Sequence, residues 1–234
     1  MKRNIVITAD GSSTIHLPDW DEQYHSKHGA IQEAYHVFIK HGLYHFYHSE
    51  LVPESYKELS LLEIGLGTGL NAFITLLEAE KLNIKIDYVG VEGYPVSMVE
   101  VLQLNYPSEL HAENQKAVFQ KLHETTWEEK HNITSHFSLT KQQLFFSEIK
   151  EKSTYNLIYF DAFGARVQPE LWTESIFENM YNALKEGGVL VTYAAKGSVR
   201  RAMQSVGFKV EKLPGPLGKR EMLRATKYSA IQNI

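Results

Sequence analysis

The sequence contains no cysteine, which excludes disulfide bonds, thiolate metal sites and a cysteine nucleophile. It also lacks any apolar run close to the roughly 18 residues that a membrane-spanning helix needs, so no membrane partner is expected. The first residues, MKRNIVITADG, begin with basic side chains, but their apolar portion is too short for a secretory signal. These absences predict a cytoplasmic protein.

Positive charge is in the minority, yet it is concentrated near the C-terminus. The 24 Lys and Arg residues are outnumbered by 28 Asp and Glu residues, which gives a net charge of −4. Between Lys196 and Lys227, however, nine Lys or Arg residues stand against only two acids, Glu211 and Glu221. This asymmetry indicates either a surface that faces a polyanion or an ordinary solvated basic face.

Periodicity predicts an α/β fold with an N-terminal extension. Residues 4–17 alternate in polarity around Asp10-Gly11, which is typical of a β-hairpin, and residues 29–48 have helical spacing. From residue 59 onward, short apolar strands alternate with amphipathic helices, a pattern typical of a mostly parallel sheet covered on both faces. We therefore expect an extension over residues 1–57 and a second domain over residues 58–234.

The end of the chain distinguishes this sheet from an ordinary dinucleotide-binding one. The strands FKVEKL and REMLRAT have no helical pattern between them, so they are expected to form an antiparallel hairpin at one edge. Such an ending is typical of the Rossmann-like sheet of class I methyltransferases that use S-adenosylmethionine (SAM).

A glycine-rich turn follows the first strand of the predicted parallel sheet, in the stretch LLEIGLGTGLN. Gly65, Gly67 and Gly69 lie where ligands bind in doubly wound sheets, and glycine lets a ligand approach the backbone closely. The dinucleotide motif needs a third glycine where this chain has Leu70, and the Lys-Ser/Thr pair of a phosphate-binding P-loop is absent. A merely tight connection remains the alternative.

An acid at the end of the second strand strengthens the nucleotide interpretation. Glu92 closes the stretch VGVE, where a carboxylate can accept hydrogen bonds from both hydroxyl groups of a ribose. An exposed carboxylate without a ligand is the alternative. Together with the glycine turn, Glu92 favours an adenosine-containing cofactor, and the missing pyrophosphate pattern favours SAM over NAD.

Asp161 ends the strand YNLIYF at the same edge of the sheet. Its carboxylate would lie where a nucleophile meets the methyl group of the cofactor, and it could accept a hydrogen bond or a proton there. A carboxylate that only caps a helix or braces a loop is the alternative.

Several motifs resemble those of a known tRNA-modifying family. The stretches IGLGTGLN, VEGYP and YFDAFGARVQPELW, together with SVRRAMQSVGF and GKREML, are similar to the methyltransferase domain of the tRNA 5-methylaminomethyl-2-thiouridine synthesis enzymes. The entry segment around Tyr24, Glu33 and Val37-Phe38 also resembles that family. The resemblance implies SAM-dependent N-methylation of a 5-aminomethyl uridine at the wobble position of the tRNA anticodon. It implies no flavin oxidase domain here, so a separate oxidase chain would supply the substrate.

The same resemblance implies roles for individual residues. Asp161 would lie beside the substrate amine, while Asn71 would join the cofactor-binding residues. The family has an acid near the adenine on its third strand, and the stretch HFSLTKQQL places Thr140 at that point. Apart from the resemblance, Tyr24 and Phe163 could stack on an extruded base, with a place in the apolar core as the alternative. Phosphate contacts are expected from Lys196, Arg200, Arg201, Lys219 and Arg220.

Other functions compete with this interpretation. A methyltransferase for a small-molecule amine suits the negative net charge, and a cofactor-binding protein without turnover would retain the same glycine turn. An aminopropyltransferase normally carries a second carboxylate soon after the first, but here no acid follows Asp161 before Glu170. His41, His45 and His48 have helical spacing, but no acid accompanies them in an obvious triad, so no metal is expected.

Overall fold

The computed structural model describes residues 2–49 and 58–228 of the chain. Within those ranges, no helix is both long and apolar enough to cross a membrane. The expected boundary at residue 57 touches the segment 50–57, which lies outside the described residues. The division into two parts therefore stays a prediction.

The N-terminal part forms a small antiparallel sheet and one helical stretch. The predicted hairpin is confirmed, because the first two strands pair antiparallel on either side of Asp10-Gly11. The strands are β1 (Asn4–Ile7), β2 (Ser13–Leu17) and β3 (Glu22–Gln23). The helical stretch comprises α1 (Ala30–Ala34), a π-helical segment (Tyr35–Tyr44) and α2 (His45–Tyr47). Its buried side, which includes Val37 and Phe38, packs on the main sheet.

Eight strands form the main sheet. They are β4 (Glu58–Ile64), β5 (Lys85–Val91), β6 (Lys130–Asn132), β7 (Phe137–Gln142), β8 (Tyr155–Phe160), β9 (Leu184–Thr192), β10 (Lys209–Pro214) and β11 (Glu221–Thr226). Their order across the sheet is β10-β11-β9-β8-β4-β5-β7-β6. The central pairings from β9 to β7 are parallel, whereas β6, β10 and β11 pair antiparallel. The predicted parallel sheet with an antiparallel C-terminal hairpin is confirmed.

Helices cover both faces of this sheet and enclose two apolar cores. They are α3 (Leu70–Leu82), α4 (Met98–Val101), α5 (Tyr106–Glu109), α6 (Lys116–Glu124), α7 (Glu174–Ala183) and α8 (Gly197–Ser205). The N-terminal helical stretch, α3 and α6 contribute to one core, and α7 and α8 contribute to the other. The carboxyl ends of β4, β5, β7 and β8 consequently open at one edge between the two layers.

Two elements differ from the sequence-based expectation. The stretch PVSMVEVLQLNY predicts a single helix begun by Pro95. The structure divides it, because a capping box at Ser97 and Glu100 starts the short α4 and a second helix follows only at Tyr106–Glu109. The stretch NITSHFSL predicts a strand over residues 132–139, but β7 spans Phe137–Gln142. That later position moves the carboxyl end of β7 beyond Thr140.

Candidate cofactor and active site

The glycine turn between β4 and α3 is shaped by its close neighbours. Gly65 and Gly67 both have positive φ angles, of 88° and 51°, which favour glycine. A Cβ atom on Gly65 would come within 2.7 Å of the Asp161 carbonyl oxygen, and one on Gly67 within 3.0 Å of the Tyr24 ring. The turn therefore lies directly between Asp161, at the end of β8, and Tyr24 of the N-terminal extension.

The N–H groups of this turn are already bonded within the protein. Those of Gly65 and Leu66 both donate to the Val91 carbonyl at 3.0 Å, and that of Gly67 donates to Glu92 Oε2 at 3.0 Å. A pyrophosphate site needs free N–H groups and no adjacent carboxylate. The turn is thus poorly suited to a dinucleotide, while the Glu92 carboxylate remains beside it for neutral hydroxyl groups.

A cavity of about 610 Å³ opens at the carboxyl ends of the parallel strands. Its wall includes the glycine turn, Glu92 and Asn71 on one side and Asp161 with Phe163 on another. The apolar side chains Leu144, Phe145 and Phe146, which follow β7, complete one end. The structure therefore brings Gly65, Gly67, Asn71, Glu92 and Asp161 together around one space, whereas Gly69 is not among the lining residues.

Asp161 occupies the turn after β8, where its backbone is held on both sides. Its N–H group donates to the Ile64 carbonyl at 2.9 Å, and the next carbonyl, of Ala162, accepts from the Tyr193 hydroxyl at 2.9 Å. Asn71 Nδ2 donates to Asp161 Oδ2 at 2.9 Å. Asn71 thus contacts Asp161 directly, although the sequence suggested only a cofactor contact for it.

The electrostatics around Asp161 favour a carboxyl that titrates near neutral pH. Burial, and to a smaller extent the charge of Glu33, raise its pKa to about 7. The hydrogen bond from Asn71 and the Lys219 ammonium act in the opposite direction. A carboxylate with such a pKa is a stronger base than an ordinary aspartate and suits proton transfer at neutral pH.

Aromatic rings from the N-terminal extension form the mouth of the cavity. Phe163 packs edge-to-face against Tyr24, with ring centroids 5.0 Å apart, and against Trp20 at 5.8 Å. The Arg3 guanidinium lies 5.9 Å from the centroid of the Tyr24 ring. The two predicted stacking residues are therefore neighbours, and Trp20 extends the same apolar surface.

Lys219 differs in its surroundings from the other predicted phosphate contacts. Its ammonium pairs with the carboxylate of Glu33 and lies 3.8 Å from the centroid of the Tyr193 ring, which lines the cavity. The expectation that Lys219 is available to phosphate is corrected, because its charge is already neutralised inside the site. The cause is the turn between β10 and β11, which folds over α1.

The remaining predicted cations lie outside the cavity wall. Lys196 and Arg201 are exposed, Arg200 is half-buried, and all three belong to α8 or its N-cap. Arg220 is exposed in the turn between β10 and β11. These side chains remain available to a ligand larger than the cavity.

Thr140 does not reach the cavity. It lies within β7, opposite Val89 of β5 and Lys130 of β6, and is absent from the cavity wall. Its expected place beside the adenine is corrected, because β7 continues to Gln142 and the chain enters the cavity only at Leu144.

Histidines are distributed over separate environments rather than gathered in a cluster. His41 packs edge-to-face on His36, and His48 packs on Tyr44 and Tyr47. Over residues 2–49 and 58–228, no group of three or more His, Asp or Glu side chains is arranged to hold a metal ion.

Sequence reasoning missed three residues that the structure places in or behind the site: Trp20, His25 and Glu63. Trp20 and His25 line the cavity, and burial lowers the pKa of the His25 imidazole to about 4, which keeps it neutral. Glu63 is a fully buried acid inside an apolar strand, LLEIG. That isolated acid was the one available signal, since buried carboxylates need polar partners.

The residues around the cavity fit SAM. The Glu92 carboxylate suits ribose hydroxyl groups, the apolar end suits an adenine ring, and the closely packed glycine turn suits the remaining chain of the cofactor without a phosphate.

Comparisons with known proteins point to the same cofactor. A family model described as S-adenosyl-L-methionine-dependent methyltransferase matches residues 108–228, which is more than half of the chain. The tRNA 5-methylaminomethyl-2-thiouridine biosynthesis bifunctional protein MnmC of Hydrogenovibrio crunogenus is 27% identical over 213 residues, covering 87% of this chain and 31% of the relative. The protein of the same name from Leptospira interrogans is 29% identical over 212 residues, covering 87% and 32%. The chain thus spans about a third of the length of these relatives.

Solved structures extend the similarity to almost the whole chain. The crystal structure of MnmC2 from Aquifex aeolicus superposes with a TM-score of 0.77 at 25% identity, covering 97% of this chain and 71% of the other. Spermidine synthase from Thermotoga maritima superposes with a TM-score of 0.51 at 14% identity, covering 97% and 72%, and shares the fold alone. The chain belongs to the family of S-adenosyl-L-methionine-dependent methyltransferases.

Proposed function

We propose that the protein transfers a methyl group from SAM to the amine of 5-aminomethyl-(2-thio)uridine at the tRNA wobble position, forming the 5-methylaminomethyl group. The observation that carries this proposal is the Asp161 carboxylate, which faces the cofactor cavity and titrates near neutral pH. The names of the relatives, which describe synthesis of that nucleoside, supply the substrate. A tRNA substrate would also be consistent with a cytoplasmic location.

The proposed cofactor contacts follow from the cavity wall. Glu92 would accept hydrogen bonds from the ribose hydroxyl groups, and Leu144 and Phe145 would flank the adenine. The turn from Gly65 to Gly69 would pass beneath the methionine portion, with Gly65 and Gly67 in the cavity wall. When bound, SAM supplies an electrophilic methyl group on a sulfonium ion.

Asp161 would act on the substrate amine. A protonated amine has no lone pair with which to attack, so the group must be neutral when the methyl group is transferred. Oδ1 of Asp161 would accept an N–H hydrogen bond, orient the lone pair and receive the proton released on methylation. Orientation contributes up to about 7–11 kcal/mol to such reactions and proton transfer about 10²- to 10⁴-fold, so positioning is the larger part of the proposed role.

The mouth of the cavity suits a base that has left its helical stack. Tyr24, Phe163 and Trp20 would contact the uracil ring by stacking, which is the usual recognition mode for single-stranded RNA. Lys196, Arg200, Arg201 and Arg220 would contact phosphates farther from the cavity. Lys219 is excluded from that set because it pairs with Glu33.

The aminomethyl group must be made by an oxidase before methylation. The relatives are named bifunctional, and this chain matches about a third of each. We therefore assign the preceding step to an oxidase activity outside these 234 residues.

A methyltransferase for a small-molecule amine is the second candidate. The observations that favour it are the carboxylates of Glu22 and Glu100 at the cavity mouth and the neutralised Lys219. These acids would attract a small cation and repel a phosphate. The same cavity without turnover would make the protein a cofactor-binding module.

A methylation assay separates these functions. The protein is incubated with labelled SAM and tRNA from cells whose modification stops at the aminomethyl stage, and nucleosides are then analysed by mass spectrometry. We expect one methyl group on the aminomethyl uridine and none with Asp161→Asn. Binding of SAM without methylated tRNA would refute the proposed substrate, and transfer to free amines in parallel would support the second candidate.

A further inference from the structure

Behind Asp161, a row of hydrogen-bonded side chains crosses the interior of the protein. The Tyr88 hydroxyl donates to Glu63 Oε2 at 2.6 Å. Asn71 Nδ2 donates to Glu63 Oε1 at 2.9 Å and, with its second hydrogen, to Asp161 Oδ2 at 2.9 Å. Tyr88 lies on β5, Glu63 on β4 and Asn71 on α3, so three elements meet at this row.

These groups are withdrawn from solvent. Tyr88 and Glu63 are each 0% exposed, and Asn71 is 3% exposed. Burial raises the pKa of the Glu63 carboxyl well above its ordinary value, so an acid is costly to keep at this point of an apolar strand. Leu61, which points to the same face of the strand two residues earlier, is also 0% exposed, so an aliphatic residue would suit this face. The acid therefore needs an explanation beyond packing.

The direction of the hydrogen bonds gives that explanation. An asparagine amide can turn by 180°, which would exchange its NH₂ group and its carbonyl. Glu63 Oε1 accepts a hydrogen bond, whether the carboxyl is ionised or carries its proton on the oxygen beside Tyr88. The NH₂ end of Asn71 is consequently fixed between Glu63 and Asp161, and its carbonyl oxygen has no partner in the described part of the chain.

The result is that the two carboxylate oxygens of Asp161 become different. Oδ2 is held by Asn71, while Oδ1 makes no hydrogen bond to any described residue. Asp161 also lines the cavity. An incoming amine would therefore meet Oδ1, on a carboxylate that Asn71 holds in one orientation.

We propose that Glu63 and Asn71 are positioning residues, which hold Oδ2 of Asp161 through the row from Tyr88 and present Oδ1 to the substrate amine. The proposal rests on the role of Asp161 in the proposed function. Asn71 is thereby assigned mainly to Asp161 rather than to SAM.

Other charged groups face Asp161 from different elements and must be kept constant in a test. Glu33 of α1 raises its pKa, and Lys219 of the turn between β10 and β11 lowers it. Tyr193, after β9, is also close, because the Asp161 charge raises the pKa of its hydroxyl. The variants below leave all three unchanged.

The test is a direct titration of Asp161 by NMR. The chain contains only five aspartates, so ¹³Cγ-aspartate labelling gives few signals, and Asp161→Asn identifies the one that belongs to residue 161. Asn71→Leu removes a hydrogen bond to the ionised carboxylate, which should raise the pKa of Asp161 by about one unit or more. Glu63→Leu should raise it in the same direction, because Asn71 is then free to turn.

Two further variants separate positioning from packing. Glu63→Gln keeps a carbonyl for Asn71, and its amide can donate to the Tyr88 oxygen, so the pKa of Asp161 should stay near the wild-type value. Thr75→Val is the matched control on α3, because Thr75 is equally buried but bonds to Tyr159 instead. It should leave the titration unchanged. A merely structural role would lower the melting temperature of the Leu variants without moving the titration.

Activity supplies the second readout. Asn71→Leu and Glu63→Leu should lower kcat by about 10²-fold while the Kd for SAM stays within a few-fold. An unmoved Asp161 titration in both Leu variants, or a large loss of SAM affinity with unchanged kcat, would overturn the proposal. Because the titration needs neither cofactor nor tRNA, failed methylation of tRNA would refute the proposed function alone. Glu63 and Asn71 lie on different elements, so failure of one variant to fold leaves the other informative.

Discussion

At the scale of single residues, the environment that raises the pKa of Asp161 toward neutral pH also costs stability. Burial raises the pKa of its carboxyl from 3.8 to about 7. Between those values the folded protein binds a proton that the unfolded chain has lost, so the free energy of unfolding falls as pH rises from about 4 to about 7. Asp161→Asn should remove this loss and be more stable than wild type, by up to about 4 kcal/mol above about pH 7.

Urea unfolding of both proteins across that pH range measures the difference. The two stabilities should converge below about pH 3, where the carboxyl is protonated in both the folded and the unfolded state. A difference that is independent of pH would mean that the Asp161 carboxyl titrates normally in the folded protein.

At the same scale, the proposed ribose contact of Glu92 is separable from the proposed role of Asp161. Its carboxylate accepts the Gly67 N–H and is placed to accept ribose hydroxyl groups, and bonds to a charged acceptor are among the stronger ones. Glu92→Ala should therefore weaken SAM binding by about 10- to 100-fold, measured by isothermal titration calorimetry. Glu170→Ala, which removes an exposed acid, is the control and should bind SAM normally. Equal affinity of both variants would remove the ribose assignment.

At the scale of elements, Arg166 joins the loop after β8 to the N-terminal extension. Its guanidinium donates to the Asp21 carbonyl and to Glu22, both at 3.0 Å, beside the aromatic mouth. The side chain is 59% exposed, so the ion pair adds little to global stability. Its expected effect is local, because it fixes Trp20 and Glu22 relative to Phe163.

Arg166→Met should therefore raise the KM for the nucleic-acid or amine substrate by about fivefold and leave the Kd for SAM and the melting temperature nearly unchanged. Steady-state kinetics with calorimetry measures both constants. Lys152→Met, on an exposed loop at the other edge of the sheet, controls for the lost charge. A normal KM would show that the segment is held by its aromatic contacts alone.

Elements also show which features the sequence could predict. The glycine turn and the ends of β4, β5 and β8 can be predicted from the sequence, because each of these strands is a short apolar run followed by polar residues. Gly65, Glu92 and Asp161 were found in this way. The end of β7 is harder to predict, because its last residues, Lys141 and Gln142, are polar and lie beyond its apolar part. The sequence therefore places Thr140 too near the end of this strand.

Contacts between residues that are far apart in the chain could not be predicted from the sequence. Lys219 meets Glu33 across 186 positions of sequence, and the row from Glu63 to Asp161 joins two strands and a helix. No local pattern encodes such contacts, since they depend on the crossing of elements that are only assembled in the fold. A charged residue that is isolated in an apolar strand, such as Glu63, is the one local signal that indicates such a contact.

At the scale of the whole molecule, charge is divided between the two edges of the sheet. Arg200 and Arg201 lie on α8, which follows the carboxyl end of β9, and Arg220 lies in the turn before β11, at the same edge of the sheet. Lys85, Lys150 and Lys152 are exposed at or before the amino ends of β5 and β8, on the opposite edge. The two sets carry equal charge, so they separate a local phosphate contact from the effect of net charge.

Replacing Arg200, Arg201 and Arg220 by Glu should weaken tRNA binding and reduce the slope of log Kd against log salt by about 2 to 3, because each phosphate contact releases counterions. The matched replacement of Lys85, Lys150 and Lys152 changes the net charge equally but should leave that slope almost unaltered. Fluorescence anisotropy with labelled tRNA over a salt series measures both. Equal slopes for the two triple variants would mean that the RNA approaches through general charge alone, whereas a change only in the second would place it at the amino-end edge, away from Asp161.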